Sequence, residues 1–83
     1  MPRYFFDMQD GPKTAYDNEG VNLANVRGAR REAIETLAQI ARDELPLGRD
    51  PRSLAIHVAD SRHRGIFVAR VDFHVDPAAV HRN

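Results

Sequence analysis

The stretch Leu54-Ala55-Ile56-His57-Val58-Ala59-Asp60-Ser61-Arg62-His63-Arg64-Gly65-Ile66-Phe67-Val68-Ala69-Arg70-Val71-Asp72-Phe73-His74-Val75 decides the fold. Leu54, Ile56 and Val58 alternate with Ala55, His57 and Ala59. After the turn residues Ser61 to Gly65, Phe67, Ala69, Val71, Phe73 and Val75 alternate with Ile66, Val68, Arg70, Asp72 and His74. A period of two is the mark of a half-buried strand. Closing the hairpin with Asp60 opposite Gly65 sets Val58 against Phe67, Ile56 against Ala69 and Leu54 against Val71, so the apolar sets meet on one face.

Upstream of this hairpin the period changes. Val26, Ala29, Ala33, Ile34, Leu37, Ile40, Ala41 and Leu45 recur at steps of three and four and form one apolar stripe of a helix. Asn25 is placed to cap its start. Pro46 disfavours helical geometry in the residue before it, and Gly48 offers a left-handed exit.

At the N-terminal end, Tyr4, Phe6 and Met8 alternate with Arg3, Phe5 and Asp7, which predicts a strand with Phe5 on its outer face. Gln9-Asp10-Gly11-Pro12 is a turn, Lys13 to Asp17 returns as a second strand, and Asp17-Asn18-Glu19-Gly20 turns again. The order is ββαββ: an α+β fold, with a four-stranded antiparallel sheet and one helix on one face. Residues 1–76 make one domain, and 77–83 read as a flexible tail.

One helix covers one sheet face. The other face is expected to carry Phe5, Ala55, His57, Ala59, Ile66, Val68 and Arg70, which is more apolar than a solvated face requires. That pattern points to self-association or to a protein partner, with Phe5, His57, Ile66, Val68 and Arg70 as the contact residues.

Composition narrows the alternatives. A chain of 83 residues holds a thin core. Twelve Lys and Arg balance twelve Asp and Glu, so no overall field draws the chain to a polyanion or an acidic membrane. With no cysteine there is no disulfide framework and no thiolate metal site, which fits a reducing compartment. No apolar run approaches signal-peptide or membrane-span length, so a cytoplasmic protein is expected.

Four histidines invite a metal reading, but His57 and His74 are far apart in the strands, His63 lies in a turn and His81 in the tail. They are read as solvated histidines, and no metal or cofactor is expected. The acids Asp7, Asp10, Asp17 and Glu19 do not follow calcium-loop spacing. They have no histidine, serine or basic partner fixed beside them by a motif, so no catalytic residue is assigned.

Arg27, Arg30 and Arg31 crowd the first turns of the helix, where positive charge opposes the macrodipole and Arg27 repels Arg31. An anionic partner would relieve this. Arg49, Arg52, Arg62 and Arg64 form a second basic group around the last hairpin. Arg27, Arg30, Arg31, Arg62 and Arg64 therefore make nucleic-acid binding the alternative function. The bland reading is compensation by Glu32 and Glu35, Arg31 and Glu35 being a proper i,i+4 pair.

The segments Met1-Pro2-Arg3-Tyr4-Phe5-Phe6-Asp7, Asp17-Asn18-Glu19-Gly20-Val21-Asn22-Leu23 and Ala29-Arg30-Arg31-Glu32-Ala33 together resemble a family of short uncharacterised bacterial proteins abundant in rhizobia and their relatives. The likeness spans nearly the whole chain. That family is itself a domain of unknown function, so the resemblance carries over no functional residue. The helix also looks like that of the antitoxin subunits of Hic-type toxin–antitoxin pairs. This second resemblance implies a toxin-like partner bound by a bare domain, since no helix-turn-helix follows the fourth strand. The function expected from the residues is a non-enzymatic protein-interaction module.

Overall fold

A computed structural model describes residues 1–48 and 50–78. The elements are β1 (Arg3–Asp10), β2 (Lys13–Ala15), β3 (Val21–Asn22), α1 (Val26–Glu44), a 3-10 turn at Leu45–Leu47, β4 (Arg52–Ala59) and β5 (Gly65–Phe73). All strand pairings are antiparallel, in the order β2-β1-β4-β5, with β3 also bonded to β1. This is the expected α+β architecture with one short strand added. Val21 and Asn22 are too few to show periodicity, which is why β3 left no trace in the sequence pattern.

The β4–β5 register pairs Leu54 with Val71, Ile56 with Ala69, His57 with Val68 and Val58 with Phe67, as the apolar alternation requires. At the turn it differs from expectation. Gly65 lies opposite Ala59 rather than Asp60, so Ile66 is the extra residue of a β-bulge. The Asp60 carboxylate causes the shift: it accepts the backbone N–H groups of Arg62 (2.9 Å) and Arg64 (3.0 Å) and winds residues 60–64 into a tight loop.

Strand β2 ends at Ala15, short of the expected Asp17, because the Asp17 side chain takes over the pairing. Strand β3 covers the outer edge of β1 at Arg3 and Tyr4, and β2 covers it from Met8 to Asp10. Between them the Phe6 N–H meets no strand and donates instead to Asp17 Oδ2 (3.0 Å).

Helix α1 begins at the expected cap: Asn25 Oδ1 accepts the Gly28 N–H at 3.0 Å. Its buried seam is Ala29, Ala33 and Leu37, four residues apart, with Ile40, Ala41 and Leu45 half-buried. The seam is narrower than the stripe. Val26 and Ile34 remain 47% and 43% exposed, because small alanines bring the helix close to the sheet and turn its flanks outward. The chain leaves through the 3-10 turn with Gly48 at φ −96°, so the expected left-handed exit is not used.

The core consists of Tyr4, Leu54, Ile56 and Val58 from the sheet with Ala29, Ala33 and Leu37 from the helix. Burying each of the large aliphatic side chains is worth about 1.5–3 kcal/mol, little enough in total that single core substitutions matter. No helix among the described residues is long and apolar enough to cross a membrane. Of the expected tail, Pro77 and Ala78 are exposed and irregular. The rest of it lies outside the described residues.

Candidate functional site

Alternation along the strands assigns Phe5, Asp7 and Gln9 of β1, Ser53, Ala55, His57 and Ala59 of β4, and Val68, Arg70 and Asp72 of β5 to the sheet face away from α1. Ala55 is only 2% exposed but is not part of the helix-side core; it lies between its cross-strand neighbours Gln9 and Arg70. Val68 is 47% exposed. At the hairpin end the face sinks into a hollow of about 400 Å³, bounded by Asp7, His57, Ala59, His63, Ile66 and Val68.

The polar groups around the hollow hold one another. His57 Nε2–H donates to Gln9 Oε1 at 2.7 Å, and the Gln9 amide donates onward to the Gly11 carbonyl at 3.2 Å. Asp7 Oδ1 accepts the Asp17 N–H at 2.9 Å. The ring of His63, a residue with φ +62°, lies 4.7 Å from that of Phe5 at an interplanar angle of 32°. Asp60 sustains this arrangement. Its carboxyl is held below the ordinary carboxylate range by the Arg64 N–H, against the opposing effect of desolvation, with the Arg62 N–H and the Arg64 guanidinium adding to the pull.

The expected contact residues are therefore placed unevenly. Phe5, His57, Val68 and Arg70 belong to the open face, with Phe5 partly covered by His63. Ile66 departs from expectation. A bulge turns two successive side chains towards the same side, and Ile66 packs half-buried against the core cluster beside Phe67 while still forming part of the wall of the hollow. Arg70 is exposed and makes no ion pair among the described residues.

The arginines of the alternative reading share one end of the molecule. Helix α1 runs antiparallel to β4, since Glu44 at its end meets Arg52 at the start of β4 (2.6 Å), and its first turns lie towards the β4–β5 loop. Arg27, Arg30, Arg31, Arg62 and Arg64 are exposed there. Arg31 pairs with Glu35 at 3.5 Å and Arg64 with Asp60 at 3.2 Å. Arg52 does not join a basic group: its side chain is 10% exposed and bridges Asp10 and Glu44. Arg49 lies outside the described residues, as does His81. Among the described residues, no three His, Asp or Glu side chains are grouped so as to hold a metal ion.

Periodicity did not single out a second groove, of about 470 Å³, lined by Arg30 and Ile34 of α1 and by Phe67, Val68, Ala69 and Arg70 of β5. It follows the free edge of the sheet. Ile34 belongs to the apolar stripe, and only the strand order shows that its side of the helix overlooks that edge.

With this geometry in view, comparison with known proteins adds one result. The profile of a domain of unknown function matches residues 3–72, most of the 83-residue chain. The chain belongs to the DUF6894 family. The match takes in every helix and nearly every strand residue of the DUF6894 domain, and stops one residue before the end of β5. Neither the curated proteins nor the solved structures gave a match.

Proposed function

We propose that this domain is a non-enzymatic protein-interaction module that associates with a second copy of itself through the open side of its sheet. The observation carrying this reading is the uneven covering of the sheet: α1 closes one face, while the other keeps Val68 47% exposed beside a shallow hollow. A face that mixes Asp7 and Asp72 with Arg70 and His57 around apolar residues has no single sign to select a polyanion, and is suited to its own kind. The polar groups of the hollow support the non-enzymatic part, because His57 is engaged by Gln9 and Asp7 by a backbone N–H, not aimed at a substrate. The absence of cysteine suits work in a reducing, cytoplasmic setting.

The test is the molar mass in solution of the chain and of its Phe5→Glu/Val68→Glu variant, by sedimentation velocity over a concentration series. A dimer that the double substitution reduces to a folded monomer supports the reading. A chain that is monomeric at its highest soluble concentration, or a variant that keeps its dimer mass, removes it.

Nucleic-acid binding is the second reading, favoured by the gathering of Arg27, Arg30, Arg31, Arg62 and Arg64 at one end of the molecule. It predicts binding to a nucleic acid that weakens steeply with added salt. Absent or salt-insensitive retention rejects it.

A further inference from the structure

The two outer edges of the sheet are finished differently. On the β1 side, β2, β3 and the Asp17 carboxylate between them take up the outward backbone groups. On the other side β5, nine residues long, pairs among the described residues only with β4. Long uncovered edges are what folded proteins ordinarily blunt.

Three hydrogen bonds show which β5 groups are open. The Gly11 N–H donates to the Ser53 carbonyl at 3.1 Å, so Ser53 faces β1, and alternation turns Leu54 towards β5 and its opposite residue Val71 towards β4. The Val75 N–H donates back to Asp50 Oδ1 at 2.7 Å, the same parity. The Phe6 N–H points to the far side of β1, consistent with that alternation. The odd-numbered residues of β5 therefore bond inward. Val68, Arg70 and Asp72 hold their N–H and C=O groups out along the free edge.

We infer that β5 pairs antiparallel with β5 of a second copy, about a two-fold axis at Val71 that sets Arg70 opposite the second copy's Asp72. The inference rests on the self-association proposed above but moves its contact from the middle of the open face to the β5 edge that borders it. Only even-numbered residues expose backbone groups, so the axis must pass through a residue position, and the charges choose which one. An axis at Arg70 opposes two arginines and an axis at Asp72 opposes two aspartates. An axis at Ala69 leaves both charges facing apolar residues. The axis at Val71 forms two Arg–Asp pairs and brings the open backbone groups of Arg70 and Asp72 into mutual hydrogen bonds.

The same register covers apolar surface that the single chain leaves open. On the helix side it sets Ala69 against the second copy's Phe73 and Phe67 against its Val75. Val75 is 64% exposed in the single chain, and Ile34, 43% exposed, overlooks this seam from α1. The two-fold axis stands perpendicular to the sheet, so both helices lie on one side of a continuous eight-strand path. Phe5, two strands from the edge, stays outside the contact.

Three experiments decide the matter. In the first, Arg70→Asp and Asp72→Arg are made singly and together. Each single reversal opposes like charges and is expected to weaken dimerisation roughly ten- to thirty-fold, while the double exchange restores it. Lost dimerisation in both singles without rescue in the double overturns the register. In the second, Val71→Cys introduces the only cysteine of the chain at the axis, where non-hydrogen-bonded Cα atoms come about 4.5 Å apart, close enough for a disulfide. Oxidation is expected to give a covalent dimer, whereas Ala69→Cys, whose own copies lie far apart in this register, gives none. A dimer by mass whose Val71→Cys variant does not cross-link overturns the seam but leaves self-association standing. A chain that is monomeric throughout overturns both. Phe5→Glu alone is expected to leave the mass unchanged and Val68→Glu alone to lower it; the reverse pattern places the contact at the centre of the face and rejects the edge.

Discussion

Asp17 shows how one side chain does the work of a strand. Burial alone raises its carboxyl, but the N–H groups of Gly20, Phe6 and Glu19, with the charge of Arg3, together hold it below its ordinary value of 3.8. The group is more acidic folded than unfolded, so its stabilisation is complete above that ordinary value and is lost as pH falls below it towards the folded value. Asp17→Asn puts an amide N–H against the Phe6 or the Gly20 N–H, and should cost about 1–3 kcal/mol in urea unfolding at neutral pH. The same variant should lose less stability than the parent between neutral pH and the acid limb. A variant as stable as the parent at neutral pH would mean that the Phe6 N–H finds another acceptor. Gly20 belongs to the same device: its φ is +75°, and a Cβ there would meet the Tyr4 carbonyl at 2.9 Å, so Gly20→Ala should be destabilising through both strain and collision.

Helix α1 is held by one cap and one close seam. Removing the cap with Asn25→Ala should cost about 1 kcal/mol, read by thermal or urea unfolding. The seam is tighter than the composition of the stripe implied, because Ala29 and Ala33, both 0% exposed, leave no room between helix and sheet. Ala33→Leu should therefore destabilise by about 1–3 kcal/mol through overpacking, although it raises hydrophobicity at little cost in helix propensity. Ile34→Ala, one position along, should cost far less in the single chain, since that side chain is already 43% exposed. If Ala33→Leu proves neutral, the helix stands further from the sheet than described. At the other end of the helix, Arg52 ties Glu44 to Asp10 (2.6 and 2.7 Å), joining the helix end, the first strand and the start of β4.

At the scale of the whole molecule, a core of this size leaves a single chain marginal, and a contact between copies then becomes part of its stability. The expected consequence is a melting temperature that rises with protein concentration in the parent chain. In Val68→Glu it should not change with concentration. A concentration-independent transition in the parent would set aside dimer-linked stability. The sheet is finished on one side and open on the other, an asymmetry that exists only in the assembled sheet.

The sequence alone determined the element types and most of their pairing. Alternation set Leu54, Ile56 and Val58 against Val71, Ala69 and Phe67, because a one-residue slip would turn every apolar side chain to the wrong face. The three- and four-residue steps placed the helix, and Asn25 its start, because both signals are local and survive without knowledge of the neighbours. The open face was legible for the same reason: one helix covers one face. Local signals did not reach the bulge at Ile66, which depends on Asp60 gathering the N–H groups of its loop, or β3, which exists only as an addition to β1. Nor did they reveal that Arg52 is an internal tie and not part of a basic surface. The edge at β5 was least legible of all. Which strand lies outermost, and therefore which backbone groups go unpaired and which flank of the helix overlooks them, is set by strand order. Strand order is a relation among distant segments that no periodicity within any one of them records.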